Sequence, residues 1–455
     1  MVTNIAKTYL PDAPVADGLP LIGNTMNFVT ADGLPIKAMQ DAVRKHGDLV
    51  HFNVLGHSIY TLGSPELVHE VLVKRSKEFE KPETFSEKPT GLRRFLGKGI
   101  LTSSLEEWRP QRKLIQPLMH TQHIKSYADT MGQLSEKLLS TWESGTERDI
   151  HEDMVNVTIW IIAETVFGLS SDELPDLEDS VEAAQSVGLS DFSSPFPSWL
   201  TGRDRTAARV NKLLAEIVED FKERSRNRDE SERIDLLSLL METRDEEGNL
   251  MSDDFIRDNI LTLFFAGHET TANTLTWAFY YLSQNPDVAE KLHHELDTVL
   301  EGRVPSLDDL PSLPYTAMVV KETMRIQPTV PAIPRKTGVS TELGGYHIEA
   351  GSAIFISPYI LHHDERYWDN PETFDPERFS AENESSIPKY AYLPFGGGPR
   401  ICIGNHFAMM EAQIVLATIA SQYELTLKEG AVVVPLQQIT TSPKYGLPMI
   451  LEKCN

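Results

Sequence analysis

Cysteine is nearly absent. The 455 residues hold two, Cys402 and Cys454. Zinc takes about four ligands and an iron–sulfur cluster several thiolates, and no second cysteine lies near Cys402 in sequence. A disulfide between the two stays open as a pairing, although Cys454 is the penultimate residue and is expected to be loose. Long apolar runs are missing too. The N-terminus, MVTNIAKTYLPDAPVADGLPLIGN, has no stretch able to span a bilayer and no signal-peptide core. This points to a cytoplasmic protein without a membrane anchor. Positive charge is short: 42 lysines and arginines stand against 67 aspartates and glutamates, a net charge of −25. Phosphate binding needs a basic face, so nucleic acid is excluded as a principal partner, while a local basic patch is not. No Pro/Gly/Ser-rich linker or repeat divides the chain. With 40% hydrophobic and 24% charged residues, it reads as an ordinary globular protein with one large fold over residues 1–455.

What is present is mainly helical periodicity. Leu49–Ser64 alternates around Gly56 and predicts a hairpin. Residues 65–75 predict a helix, and Phe79–Ser104, rich in Lys, Pro and Gly, a long loop. Helices are expected from about Glu106, over Met154–Gly168, and over Val210–Arg228, where apolar spacings of three and four face charge. A short helix is expected within residues 229–253. Asp254–Ser283 reads as one long helix, apolar on most faces and therefore internal. Further helices are predicted over Asp287–Leu300, around Tyr315–Ile326 and after Cys402. Residues 328–360 and the C-terminal segment read as short strands.

Within the long helix lies AGHETT, Ala266 to Thr271. Two β-branched hydroxyls and a carboxylate in a buried helix are locally unfavourable. A polar belt facing a neighbouring helix explains them as well as a site does. Thr270 lies four residues after Ala266, so its hydroxyl competes for the Ala266 carbonyl, and Gly267 removes a side chain at that turn. A groove there, with Thr270 and Glu269 beside it, suits binding and protonating something small. Glu322 and Arg325 share a helix face, a spacing more often found as a surface ion pair. Trp108 and Arg112 also share a face and suit a carboxylate pair, though an ordinary amphipathic helix is the commoner meaning.

Cys402 sits in FGGGPRICIG, Phe395 to Gly404. A nucleophilic cysteine needs a partner base, which no motif supplies; an inert buried thiol is the bland alternative. The preceding glycines permit close backbone approach to something flat or bulky. A helix starting near Gly404 would direct its positive end at a thiolate. A single thiolate ligand to haem iron fits these features.

FGGGPRICIG resembles the haem-binding loop of the cytochrome P450 family, F-x-x-G-x-R-x-C-x-G. The other groups then resemble family motifs in family order: Trp108-x-x-x-Arg112 the C helix, AGHETT the oxygen-activation motif of the I helix, Glu322-x-x-Arg325 the K helix with Arg378 of FDPERF as third member, and Gly404-x-x-x-Ala408-x-x-Glu411 the L helix. PLIGN near the N-terminus also looks like the family, and the resemblance covers nearly the whole chain.

The resemblance implies the mainly α P450 fold, a triangular helical domain with a small sheet-rich lobe, and a haem b between the I and L helices. It implies Cys402 as axial thiolate, whose electron donation favours O–O cleavage. Trp108, Arg112, Arg400 and Arg335 are implied at the haem propionates, Phe395 against the cysteine side and Ala266 over the distal face. Glu322, Arg325 and Arg378 are implied as a structural network. The activity implied is insertion of one oxygen atom of O₂ into an apolar substrate. Thr270 would hold the water beside dioxygen and Glu269 would relay protons. Peroxide-using relatives often lack this acid–Thr pair, which makes peroxide use the second reading; a haem-thiolate sensor would not need AGHETT. With no flavin or iron–sulfur module in the sequence, electrons are expected from a separate ferredoxin or flavodoxin-type donor, and the protein is expected to be a monomer. The implied substrate lining is Phe85, Leu92, Phe95, Leu101, Phe192, Phe196, Trp199, Leu263, Phe264, Val330, Ile333 and Tyr445. It is apolar, suiting a fatty acid, terpenoid or steroid. Arg93 and Arg94 are available to a substrate carboxylate, although exposed loop arginines are commoner.

Overall fold

The computed structural model describes residues 10–19, 23–29, 33–82, 91–119, 127–171, 183–184, 187–188, 198, 200–227, 235–245 and 247–454. Its axis is the central helix Asp253–Gln284, 32 residues long, or about 48 Å at 1.5 Å per residue. Ser252 caps it by accepting from the Phe255 amide. Its buried residues run from Ile256 to Leu282 on nearly every face. The pattern follows from its neighbours: Ile150–Val166, Arg203–Arg226, Pro314–Ile326 and Asn405–Ala420 all pack against it. Each of these, except the amphipathic Arg203–Arg226, is itself largely buried.

The smaller lobe holds a five-stranded sheet in the order Leu49–Val54, His57–Leu62, Ala353–Ile356, Ile333–Thr337, Phe79–Glu80. Only His57–Leu62 and Ala353–Ile356 pair in parallel. The expected hairpin is there, with Val54 opposite His57. Its two turn residues, Leu55 and Gly56, both have positive φ, 51° and 81°, as a two-residue hairpin turn requires.

Three expectations need correction. Phe79–Ser104 is not a plain loop: Phe79–Glu80 joins the sheet, and Arg93–Leu96 is a short helix. Both are built by tertiary contact, because neither has a period long enough to read. The helix expected from Val210 starts at Arg203, in a charged first turn that has no apolar spacing. Cys402 and Cys454 are both free, and Cys454 is tied down rather than loose, its amide donating to the Gln422 carbonyl at 2.9 Å.

Candidate functional site: an internal slot with one thiol

The cysteine loop is held by its own backbone and by the sheet lobe. The Cys402 amide donates to the Phe395 carbonyl at 3.0 Å, closing the loop. Gly398 has φ +69°, and a Cβ there would stand 1.9 Å from the Leu72 carbonyl oxygen. The close approach that this glycine permits is thus to the protein's own chain. The helix Asn405–Ala420 follows at once. Burial pushes the Cys402 thiol upward, while the Gly404 amide and the Arg112 guanidinium pull it down. Yet Cys402 is accessible. Dense surroundings and accessibility coexist only where the exposed face opens inward, onto a recess.

Ala266 repeats this pattern. It is exposed in the middle of a helix whose residues 256, 258–265 and 271–279 are buried, with Gly267, Glu269 and Thr270 half-buried beside it. Thr270 Oγ1 donates to the Ala266 carbonyl at 2.9 Å, as the spacing predicts. Gly267 has a different role from the one expected. A Cβ there would lie 2.1 Å from Ile162 Cδ1, so the missing side chain is filled by the neighbouring helix and leaves no room for a ligand. Glu269 Oε1 accepts from the Thr440 hydroxyl.

Cations gather at one edge of this slot. The Arg400 guanidinium lies 4.7 Å from the Trp108 ring centroid. Arg112 Nη1 donates to the Ile401 carbonyl at 2.7 Å, tying its helix to the cysteine loop. Arg335 is buried, and burial pushes it down to about 10, with Arg400 adding to the effect. Arg400 is likewise pushed down to about 10 by burial, opposed by Glu80, and its Nη1 is buried without a hydrogen-bond partner among the described residues. Lys81 completes the group: burial, then Arg400 and Arg335, push it well below its usual range, while its ammonium donates to the Leu101 carbonyl. Like charges gathered under burial, beside Glu80, make this edge favourable to an anionic group. Lys81 was not found from the sequence, because a lone Lys-Pro carries no spacing signal. The chemistry fits a group with a metal that takes a thiolate and a carboxylate edge that takes cations.

Behind the slot, the Glu322–Arg325 pair is fully buried rather than on the surface. Arg325 Nε and Nη2 donate to the two Glu322 oxygens at 2.7 and 2.8 Å. Arg325 also donates to the carbonyls of His362 and Thr373. Glu322 accepts from the Asp375 amide, and Arg378 Nε stands 3.5 Å away. His362, which the sequence did not reveal, carries this network to the cysteine loop. Its Nε2 accepts from the Leu393 amide at 2.9 Å, so its Nδ1–H donates to the Arg325 carbonyl.

The expected substrate lining is only partly assembled. Leu92, Phe95 and Leu263 share one apolar cluster, Leu101 and Phe395 pack against it, and Ile333 belongs to the sheet lobe beside Gly396. Val330 is half-buried in the chain between the helix Pro314–Ile326 and the strand Ile333–Thr337. Phe264 is turned the other way, against Phe167 and His268 at 6.1 and 5.0 Å, because two helical residues separate it by about 200° from Ala266. Tyr445 is 63% exposed and stands beside Lys444 on a surface turn. Phe85, Phe192, Phe196 and Trp199 lie outside the described residues. Arg93 and Arg94 face acids of the protein, Glu107 at 3.5 Å and Asp204 at 2.9 Å, which removes them as free partners for a substrate carboxylate.

Buried titratable groups set a stability optimum. Burial holds His268 near 4, His363 near 3 and His362 well below the ordinary histidine value. These three stay neutral in the fold but take up protons when unfolded, so stability falls as pH drops below about 6.5. Glu411 is buried, and burial pushes it up to about 8 against the opposing pull of the Thr271 hydroxyl. It holds an extra proton in the fold from about 4.5 to 8, so its contribution is lost as pH rises through that window. Thermal unfolding should therefore be most resisted near pH 6.5–7 and weaken steeply below 6. A flat profile from pH 5 to 7 would contradict the neutral-histidine assignment.

The fold and site together define a mainly helical protein with an internal slot bearing one thiol and a cationic edge. The cytochrome P450 family model matches residues 13–448. Cyclooctatin synthase of Streptomyces melanosporofaciens is 35% identical over 445 residues, covering 95% of this chain and 94% of that protein. Pentalenene oxygenase of Streptomyces avermitilis is 31% identical, covering 93% of each. The crystal structure of the cytochrome P450DA heme domain superposes with a TM-score of 0.87 at 25% identity, over 98% of this chain and 99% of that one.

The chain belongs to the cytochrome P450 family. It is an oxidoreductase of the monooxygenase kind, with the P450 fold. The family implies a haem-thiolate cofactor. No helix among the described residues is long and apolar enough to cross a membrane.

Proposed function

We propose that this P450 inserts one oxygen atom from O₂ into a hydrophobic substrate of the terpenoid class. Haem b would be held by the Cys402 thiolate, with Trp108, Arg112, Arg335 and Arg400 at its propionates and Lys81 as a fifth contact. The observation that carries this reading is the inward-facing Cys402 beside a buried cation cluster with an orphaned Arg400 N–H. When bound, the haem supplies reductive activation of O₂. The chain's own residues do the rest. Leu92, Phe95, Leu101 and Leu263 exclude water and orient an apolar molecule. Thr270 holds a water at its hydroxyl, and Glu269 passes protons toward it. The acid–Thr pair favours O₂ over peroxide as oxidant. Substrate class is drawn from relatives named for an olefinic alcohol and a hydrocarbon, cyclooctat-9-en-7-ol 5-monooxygenase and pentalenene oxygenase. Among fatty acids, steroids and terpenoids, cyclic terpenoids should give the largest spectral shift on displacing the iron's water.

Electrons would reach the cysteine face from a ferredoxin or flavodoxin-type protein. Arg109 and Lys113 are exposed there on the helix that Arg112 fastens to Ile401, a local positive patch on an acidic molecule suited to an acidic donor.

The reading is tested by Thr270→Ala. Its hydroxyl bonds within its own helix turn, to Ala266, so fold and haem content should be kept. Proton delivery should suffer, and the ratio of product to reductant consumed should drop several-fold, with hydrogen peroxide accounting for the difference. Full coupling in this variant would remove Thr270 from the proposed role.

A further inference from the structure

The proton-relaying carboxylate is held by a residue from another part of the chain. Thr440 Oγ1 donates to Glu269 Oε1 at 2.5 Å, across 171 residues of sequence. Thr440 is buried and belongs to the connection of a small hairpin, Pro435–Gln437 with Thr441–Pro443. This connection is braced on every side. The Gln438 amide donates to the Thr440 carbonyl at 2.9 Å, and the Thr441 amide to the Thr329 carbonyl at 2.9 Å. Trp277 Nε1 donates to the Thr441 carbonyl at 3.0 Å. Trp277 lies eight residues past Glu269 on the central helix, so the hairpin rests on that helix at two points about 12 Å apart. The Thr440 hydroxyl is therefore delivered to Glu269 by a fixed frame, whereas the Thr270 hydroxyl donates its proton to its own helix and keeps only its acceptor side free for a water.

We infer that Thr440 is a positioning residue for Glu269: its hydroxyl keeps the carboxylate in one orientation, turned to the C-terminal hairpin and ready to accept a proton. A hydroxyl that donates to a carboxylate favours the ionised, acceptor-only form. A charge-assisted bond of this kind is stronger than a neutral one, and its loss should cost roughly tenfold in the population of the held orientation. The inference rests on Glu269 acting as the relay. The consequence is that the hairpin, and not the central helix alone, sets how faithfully protons follow electrons.

The experiment compares haem-loaded Thr440→Val, Thr440→Ser and Glu269→Gln proteins with the wild type. The first readout is the infrared difference spectrum of the resting protein. Subtracting Glu269→Gln from wild type isolates the Glu269 carboxylate stretch, and Thr440→Val should displace that same band. The second is turnover: Thr440→Val should lower kcat and product per reductant severalfold, with KM for the substrate unchanged, and Thr440→Ser should restore both band and coupling. Thr440→Ala reads the same quantities if the valine variant does not fold. A band left in place by Thr440→Val overturns the inference, as does a displaced band with unchanged coupling. If Glu269→Gln uncouples turnover and Thr440→Val does not, only the role of Thr440 falls. If Glu269→Gln itself stays coupled, the relay reading falls first.

Discussion

Replacing Cys402 by serine is expected to abolish the strongly red-shifted absorption of the reduced, carbonyl-bound protein, together with nearly all oxygen insertion. A thiolate donates electron density to iron in a way that a hydroxyl or an imidazole does not, and the red shift reports that donation. The chain has no substitute: its other thiol, Cys454, sits at the far end of the last strand, bonded to Gln422. Cys402→His sharpens the test. The cation cluster and the apolar slot remain, so this variant should still take up haem while losing the shifted band. Cys454→Ser should keep both band and turnover. A Cys402→Ser protein with normal band and turnover would refute the ligand assignment and with it the proposed function.

Glu322→Ala should be the most damaging single change to the fold itself. It strips two short bonds from Arg325, a side chain with no exposed surface, and removes the acceptor of the Asp375 amide. Leaving one charge of a buried pair unpaired typically costs about 3–5 kcal/mol, against about 5–15 for the whole stability of a typical domain. The damage should reach the cysteine loop through the Arg325 carbonyl, His362 and the Leu393 amide. Purified Glu322→Ala should therefore melt at a clearly lower temperature and carry less haem per chain. Glu322→Leu with Arg325→Met should be milder than Glu322→Ala, because no charge is left stranded. An unchanged melting temperature in Glu322→Ala would show that the pair does not hold this region.

The pair also shows where sequence reading runs out. Its i, i+3 spacing is the same on a surface and in a core, and only the packing of Pro314–Ile326 against the central helix decides between them. Gly267 and Gly398 teach the same lesson. Both were legible as places where a side chain must be missing, but what fills the space is the protein: Ile162 at one, the Leu72 carbonyl at the other. Phe264 and Tyr445 were misplaced because an apolar side chain near a motif does not reveal which way it faces. Arg93 and Arg94 read as free cations until their acids, Glu107 and Asp204, were brought to them by folding.

By itself, the sequence determined the helical character, the long internal helix, the hairpin at Gly56, and where the thiol loop, the acid–Thr motif and the Glu322–Arg325 spacing lie. These are local: each depends on spacing within a few residues, and spacing survives in one dimension. The tertiary structure alone decided which groups meet. Lys81, Arg335 and Arg400 come from three distant segments and become one buried cation cluster only when folding brings them together. His362 joins the Glu322–Arg325 pair to the cysteine loop, and Thr440 reaches Glu269, across separations with no periodic trace. The physical reason is that burial and Coulomb interaction depend on distance through space, which the order of residues along the chain does not record.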